Sequence, residues 1–284
     1  MSAKTHAPIR TVGILYKEHN EDAVAMSERL VGLLQASGRK VWRLSGRALD
    51  TVDGRLSATD LVVVLGGDGS IISAARVCAP ADAPILGVNF GRVGFLSELE
   101  PDEVEEKLPL YLDGDYWVDT RSMLRAEFSS HGATHHYSAL NDIVVARGAE
   151  PHVIHIKTWV DGFVYNTTVA DGVIVSTATG STAYNLAAGG PILHPQVRSN
   201  VLTAIAPHLA ADRSLSLEPN AVIALELLAG SDGALLSADG QINHALNVGD
   251  RVEVTNSDYT TKFLRRREPT HFYRVLSAKL RDNL

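Results

Sequence analysis

The sequence predicts an α/β domain with a parallel sheet, followed by a mostly antiparallel all-β domain and a closing helix. Three observations carry this. The runs 61–65 and 85–88 are apolar throughout, as expected of strands covered on both faces. Stretches with apolar residues at helical spacing accompany such runs. After about Trp117 both patterns give way to short alternating runs separated by turn residues, the mark of antiparallel strands.

The elements follow in order. Residues 12–16 read as the first strand. Ala23, Met26, Leu30, Val31 and Leu34 then share one face of a helix. Asn20 stands where a cap is needed, Glu21 and Asp22 suit the positive end, and Gly38 can close the helix in a left-handed conformation. Residues 41–44 predict the next strand, and Pro101 suits the first turn of a helix through Val104 and Leu108. Further on, 153–160 and 163–169 predict a hairpin closed by Asp161-Gly162, a pair that tolerates positive φ in a tight turn. Strands are also expected at 173–176, 222–228 and 251–255. Phe272, Val275, Leu276, Lys279 and Leu280 recur at helical spacing behind Thr270, a candidate cap. The division expected is 1–116 as a Rossmann-like α/β domain, 117–262 as a β-rich domain, and 263–284 as a helix packing back on the N-terminal domain.

With 284 residues and 45% hydrophobic content, each of two domains can fill a core, which excludes a disordered chain. Lysine and arginine number 26 against 33 acidic residues, so the basic footprint of a nucleic-acid binder is absent. The single cysteine, Cys78, cannot form an internal bridge, and neither a signal-peptide pattern nor an apolar run of about eighteen residues is present. The expectation is a cytoplasmic protein without nucleic-acid or membrane partners.

The chemistry concentrates in Gly66-Gly67-Asp68-Gly69-Ser70, placed between a buried-strand pattern and the helical run 71–77. Strand, glycine turn and helix form a phosphate-binding arrangement: glycines let the backbone approach phosphate oxygens, and the helix dipole favours an anion. Neither the Walker loop nor the dinucleotide GxGxxG pattern is matched. Asp68 is the surplus feature. A carboxylate among phosphates is repulsive unless it takes a proton from an attacking hydroxyl or holds magnesium; the alternative is an acid that only stabilises the turn. A second segment, Thr179-Gly180-Ser181-Thr182-Ala183-Tyr184-Asn185-Leu186-Ala187-Ala188-Gly189-Gly190-Pro191, sets hydroxyls, an amide and an aromatic between glycines. It can bond ribose and stack a base, or serve as a polar loop with a short capped helix. Its flanks do not make Ser181 a nucleophile elbow.

Together these segments closely resemble the NAD kinase family. Gly87-Val88-Asn89 with Gly91, Gly94-Phe95-Leu96, Asn141-Asp142, Asp171-Gly172 and Asp239-Gly240-Gln241 occur in matching order, so the resemblance runs from about residue 60 to 245. It implies an α/β domain, a β domain, a site in the cleft between them, and phosphorylation of the adenosine ribose 2′-hydroxyl of NAD to give NADP. It also implies Asp68 as general base, with Gly67, Gly69 and Phe95 beside it at the dinucleotide. Asn141, Asp142, Asp171, Thr182, Ala183, Tyr184, Asn185, Leu186, Ala187 and Gln241 would hold NAD. By spacing, His152 falls where a family ligand contact lies, with an ordinary strand-end histidine as the alternative, and Val169, also read as a binding position, falls where some members carry a charged or small residue. Ser70 and Ala178 depart from the threonine and proline of many members. ATP as donor, magnesium or another divalent metal, and a homo-oligomer, dimer or tetramer, are further implications; no metal ligand is identified.

Other constellations are read as structural. His131, His135 and His136 lack cysteine partners or helical spacing and are expected in a solvated loop; Arg265-Arg266-Arg267 is expected on a solvated face, with a triphosphate contact as the alternative. Two rival functions are a diacylglycerol-type lipid kinase sharing the glycine-aspartate turn and a non-catalytic dinucleotide sensor.

Overall fold

The computed structural model describes residues 6–52, 54–92, 94–130, 133–149, 152–208, 213–231 and 233–282. In chain order the elements are β1 (Thr11–Tyr16), α1 (Glu21–Ala36), β2 (Lys40–Ser45), β3 (Leu61–Gly66), α2 (Asp68–Cys78), β4 (Ile85–Asn89), α3 (Val104–Leu112) and β5 (Trp117–Ser130). Then come β6 (Ala133–Ala139), β7 (Asp142–Arg147), β8 (Ile154–Val160), β9 (Phe163–Ala170), β10 (Gly172–Ser176) and the single turn α4 (Tyr184–Ala187). The chain continues through β11 (Asn200–Ile205), β12 (Leu215–Leu217), β13 (Ile223–Leu227), β14 (Ala234–Ala238), β15 (Ile242–Leu246), β16 (Arg251–Arg265) and α5 (His271–Asp282). It divides into two units, one holding residues up to Thr120 and from Thr260 onward, the other Arg121–Tyr259.

The first unit is built on a parallel sheet in the order β2-β1-β3-β4, with Phe263 of β16 aligned beside Ile85 of β4. Every residue of β3 is buried. Its inward side chains on one face, Leu61, Val63 and Leu65, cluster with Leu30 and Leu34 of α1 and Leu108 and Tyr111 of α3. Helix α2 buries Ile71, Ala74, Ala75 and Cys78. From β1 the chain goes outward to β2 and returns to β3 on the other side of β1. Such a reversal is where open α/β sheets place ligands, beyond the carboxyl ends of the strands. Local chemistry sets α1 as expected: Asn20 Oδ1 accepts the Ala23 N–H at 2.9 Å. At the other end Gly38, at φ +77°, donates to Gln35 O while Arg39 donates to Leu34 O. Helix α5 returns to this unit and buries Val275.

The second unit has a six-stranded antiparallel sheet, β12-β11-β10-β7-β14-β15. A second antiparallel run pairs the start of β16 with β13, β13 with β8, and β8 with β9, while β5 pairs with β6. Leu124, Phe128, Ile143, Val145, Ile156, Val175, Leu225, Leu236 and Val254 share one core. Asp161 (φ +51°) and Gly162 (φ +78°) close the β8–β9 hairpin in the left-handed region, as the sequence predicts.

Three expectations need correction. The strand expected at 251–255 runs on to Arg265; weak strand formers such as Asn256 are carried by pairing, with Asn256 Oδ1 accepting from Asn200 Nδ2 at 2.9 Å. His135 and His136 lie in β6, not in a loop. The pleat turns His135 toward Phe128 and His244, with ring centroids 5.1 and 4.5 Å away, so aromatic packing decides; His131 lies outside the described residues. Arg265-Arg266-Arg267 is only partly a solvated face: Arg265 is buried against Glu98 and Asp119, while the exposed Arg266 pairs with Asp115 and the half-buried Arg267 with Glu103. Among the described residues no helix is long and apolar enough to cross a membrane.

Candidate active site

Strand β3 ends at Gly66 and α2 begins at Asp68, so the aspartate stands at the positive end of a helix directly after a buried strand. A Cβ added at Gly67 or Gly69 would meet no atom within 4 Å, which leaves the outer surface of the loop open. The half-buried Asp68 carboxylate is held by two backbone donors: Oδ2 accepts the Phe95 N–H at 2.8 Å and Oδ1 the Leu96 N–H at 3.1 Å. The close approach needs glycine at 94, where a Cβ would stand 2.0 Å from Asp68 Oδ1. Each carboxylate oxygen can accept a second hydrogen bond. The neighbouring loop is tied down by Asn89, whose Oδ1 accepts the Gly91 N–H at 3.1 Å, and by Phe90, whose N–H reaches Gly66 O at 3.1 Å.

In the second unit the backbone amides of Leu140, Asn141 and Asp142 converge on one carboxylate. Asp239 accepts them at 2.8, 2.7 and 3.1 Å from a left-handed turn at φ +54°. The buried Asp142 carboxyl is pushed up to about 7, first by burial and then by the Asp239 charge. The segment after β10 is locked to the same corner. Thr177 donates its N–H to Asn141 O at 2.8 Å and its hydroxyl to Leu140 O at 2.7 Å. A Cβ at Gly180 would stand 2.1 Å from Asn141 O, so this contact also needs glycine. The buried Ser181 hydroxyl donates to Ala178 O and accepts the Leu193 N–H, a structural role.

The fully buried Asn185 amide donates to Ser181 O (3.1 Å) and Pro191 O (3.0 Å) and accepts from Thr203 Oγ1 (2.8 Å), so it braces the loop from within. Tyr184 and Ala187 are exposed, while Thr182, Ala183 and Leu186 are half-buried.

The structure therefore brings Asn141, Asp142 and residues 182–187 to one end of β7 and β10. Asp171 lies at the other end of β10, six residues or about 20 Å along the strand from Thr177, where it pairs with Arg147 at 3.1 Å. Val169, half-buried in β9, accepts the His208 N–H at 2.9 Å; His152 is exposed just before β8, and Gln241 is exposed just after the Asp239 turn. Phe95 gives its N–H to Asp68 and its ring to α5, with Phe272 5.8 Å away.

Two family models match: "ATP-NAD kinase N-terminal domain" over residues 47–116 and "ATP-NAD kinase C-terminal domain" over 140–266. An NAD kinase of Dehalococcoides mccartyi (strain CBDB1) is 38% identical over 276 residues, covering 96% of this chain and 97% of its own. One of Syntrophotalea carbinolica is 38% identical over 281 residues, covering 96% and 98%. The chain belongs to the NAD kinase family. Solved NAD kinase structures agree with the fold. A yeast NADH kinase complexed with NADH has a TM-score of 0.82 at 25% identity, covering 97% of this chain and 90% of that one. An Archaeoglobus fulgidus NAD kinase in complex with ATP has a TM-score of 0.72 at 25% identity, covering 95% and 98%.

As an NAD kinase family member the chain holds two structural anchors that sequence reasoning missed. Asp239-Gly240 between alternating runs signals a hairpin turn, yet the amides its carboxylate gathers are 97–99 residues away. Arg265, whose Nη1 donates to Leu96 O at 2.9 Å and Ser97 O at 3.3 Å, gave no signal beyond a basic run. Among the described residues no group of three or more His, Cys, Asp or Glu side chains is placed to hold a metal ion by itself, and Asp68, with one amide on each oxygen, keeps acceptor capacity.

Proposed function

We propose that this NAD kinase family member transfers the γ-phosphoryl group of ATP to the 2′-hydroxyl of the adenosine ribose of NAD, giving NADP and ADP, with Asp68 as the general base. The observation that carries the reading is the Asp68 carboxylate, fixed by the Phe95 and Leu96 amides at the start of α2 beside an open glycine surface. The ribose oxygen forms the new bond to the γ-phosphorus as the bond to the β–γ bridging oxygen breaks. The hydroxyl proton passes to Asp68. Two N–H donors orient the carboxylate without filling it, which suits an acceptor of one further hydrogen bond.

A divalent cation would neutralise charge on the triphosphate, and cations of the magnesium type are commonly held by one or two carboxylates together with the substrate phosphates. On the β-rich unit Asn141, Asp142, Thr182 and the exposed ring and hydroxyl of Tyr184 are read as dinucleotide contacts, with Asn185 keeping their loop in shape. Positioning of nucleophile and donor supplies most of the acceleration in phosphoryl transfer, and proton removal adds a smaller factor.

Incubation with NAD, ATP and magnesium tests the reading, with NADP as the expected product. Phosphate transfer to diacylglycerol instead would favour a lipid kinase. NAD binding without NADP formation would make the protein a dinucleotide sensor.

A further inference from the structure

We propose that helix α5 is a positioning element for Asp68, acting through Phe95 by way of Phe272 and Lys279. The inference rests on the reading of Asp68 as the general base. The carboxylate is oriented by the N–H groups of Phe95 and Leu96, so its direction is only as fixed as the segment 94–97. That segment lies outside any helix or strand, and its placement comes from chain almost two hundred residues later.

Two devices hold it. Arg265 Nη1 takes the carbonyls of Leu96 and Ser97 at 2.9 and 3.3 Å, with its charge balanced by Glu98. The Phe95 ring is gripped by α5, with Phe272 5.8 Å away in a tilted arrangement and Lys279 Nζ 4.8 Å over the ring. Phe272 and Lys279 are seven residues apart, two helical turns, and so project from one face. Phe272 is itself packed edge-on against Tyr273 at 5.4 Å. Phe272 and Lys279 meet the Phe95 ring, and their effect passes through the Phe95 backbone. Aromatic and cation–π contacts of this kind have the strength to hold one loop conformation over its neighbours.

The test is a double-mutant comparison in the full chain. Phe272→Ala with Lys279→Ala should lower kcat about 10- to 100-fold, the scale of a displacement of roughly 1 Å at a reacting group, with KM for NAD and ATP little changed. Phe272→Tyr and Lys279→Arg, which keep the ring and the charge, should restore most of kcat. In an Asp68→Asn background the same alanine pair should cost little more, because the group it positions is gone. Should the pair unfold the chain, Lys279→Ala alone reads the same contact from a half-buried surface position.

Unchanged kcat, or an equal fractional loss with and without Asp68, would overturn the inference. Full activity of Asp68→Asn by itself would instead defeat the reading beneath it, so the two failures are distinguishable.

Discussion

Gly94 approaches Asp68 so closely that a single added methyl carbon would stand 2.0 Å from Oδ1. Glycine at 94 is therefore a condition for the two hydrogen bonds that orient the carboxylate. Gly94→Ala must displace either the acid or the segment that holds it. We expect kcat to fall about 10- to 100-fold with the cooperative unfolding transition retained. Steady-state kinetics beside thermal melting checks this, and a fully active alanine variant would show that the approach is not needed.

Asp239 bears on stability and on substrate binding together. Its carboxylate satisfies the amides of Leu140, Asn141 and Asp142. Asp239→Ala strands these donors at the start of β7. A loss of about 2–4 kcal/mol is expected in urea denaturation, since orphaned donors each cost on the order of 1 kcal/mol or more. KM for NAD should rise, because Asn141 and Asp142 lose their common anchor. A variant as stable as the parent would mean that solvent replaces the carboxylate without cost.

The Asp142 carboxyl gives a pH signature. In the folded chain it keeps its proton up to about pH 7, through burial and then the nearby Asp239 charge, against an ordinary value of 3.8. Between those values unfolding releases a proton. Its contribution to stability is therefore fully present below about pH 4 and is lost as pH rises to about 7. Asp142→Asn should flatten this part of the profile and be the more stable chain at pH 8 relative to the parent. Urea midpoints at pH 5 and pH 8 for both proteins measure it; parallel profiles would contradict the assignment.

Elements set by close neighbours along the chain are legible in the sequence alone. The Asn20 cap, the Gly38 terminus, the buried run at β3 and the Asp161-Gly162 turn each depend on a few consecutive residues. Asp68 stands out because a carboxylate in a glycine turn is electrostatically odd. What stays hidden is nonlocal. No pattern within Arg265-Arg266-Arg267 tells that the first side chain is buried on the carbonyls of Leu96 and Ser97. Likewise Asn185 reads as a ligand-facing amide, whereas Ser181, Pro191 and Thr203 occupy it in the interior. Asp171 shares a motif with the β10 strand yet sits at the far end of it from Thr177, a separation that strand geometry imposes and linear spacing conceals.

The most direct test of the central claim is turnover of NAD to NADP by Asp68→Asn. The substitution keeps size while removing the basic group, and it leaves a single acceptor for the Phe95 and Leu96 amides. A folded protein is expected whose kcat is lower by roughly 10²- to 10⁴-fold, the range for loss of a general base. A folded asparagine variant turning over at close to the parent rate would contradict it.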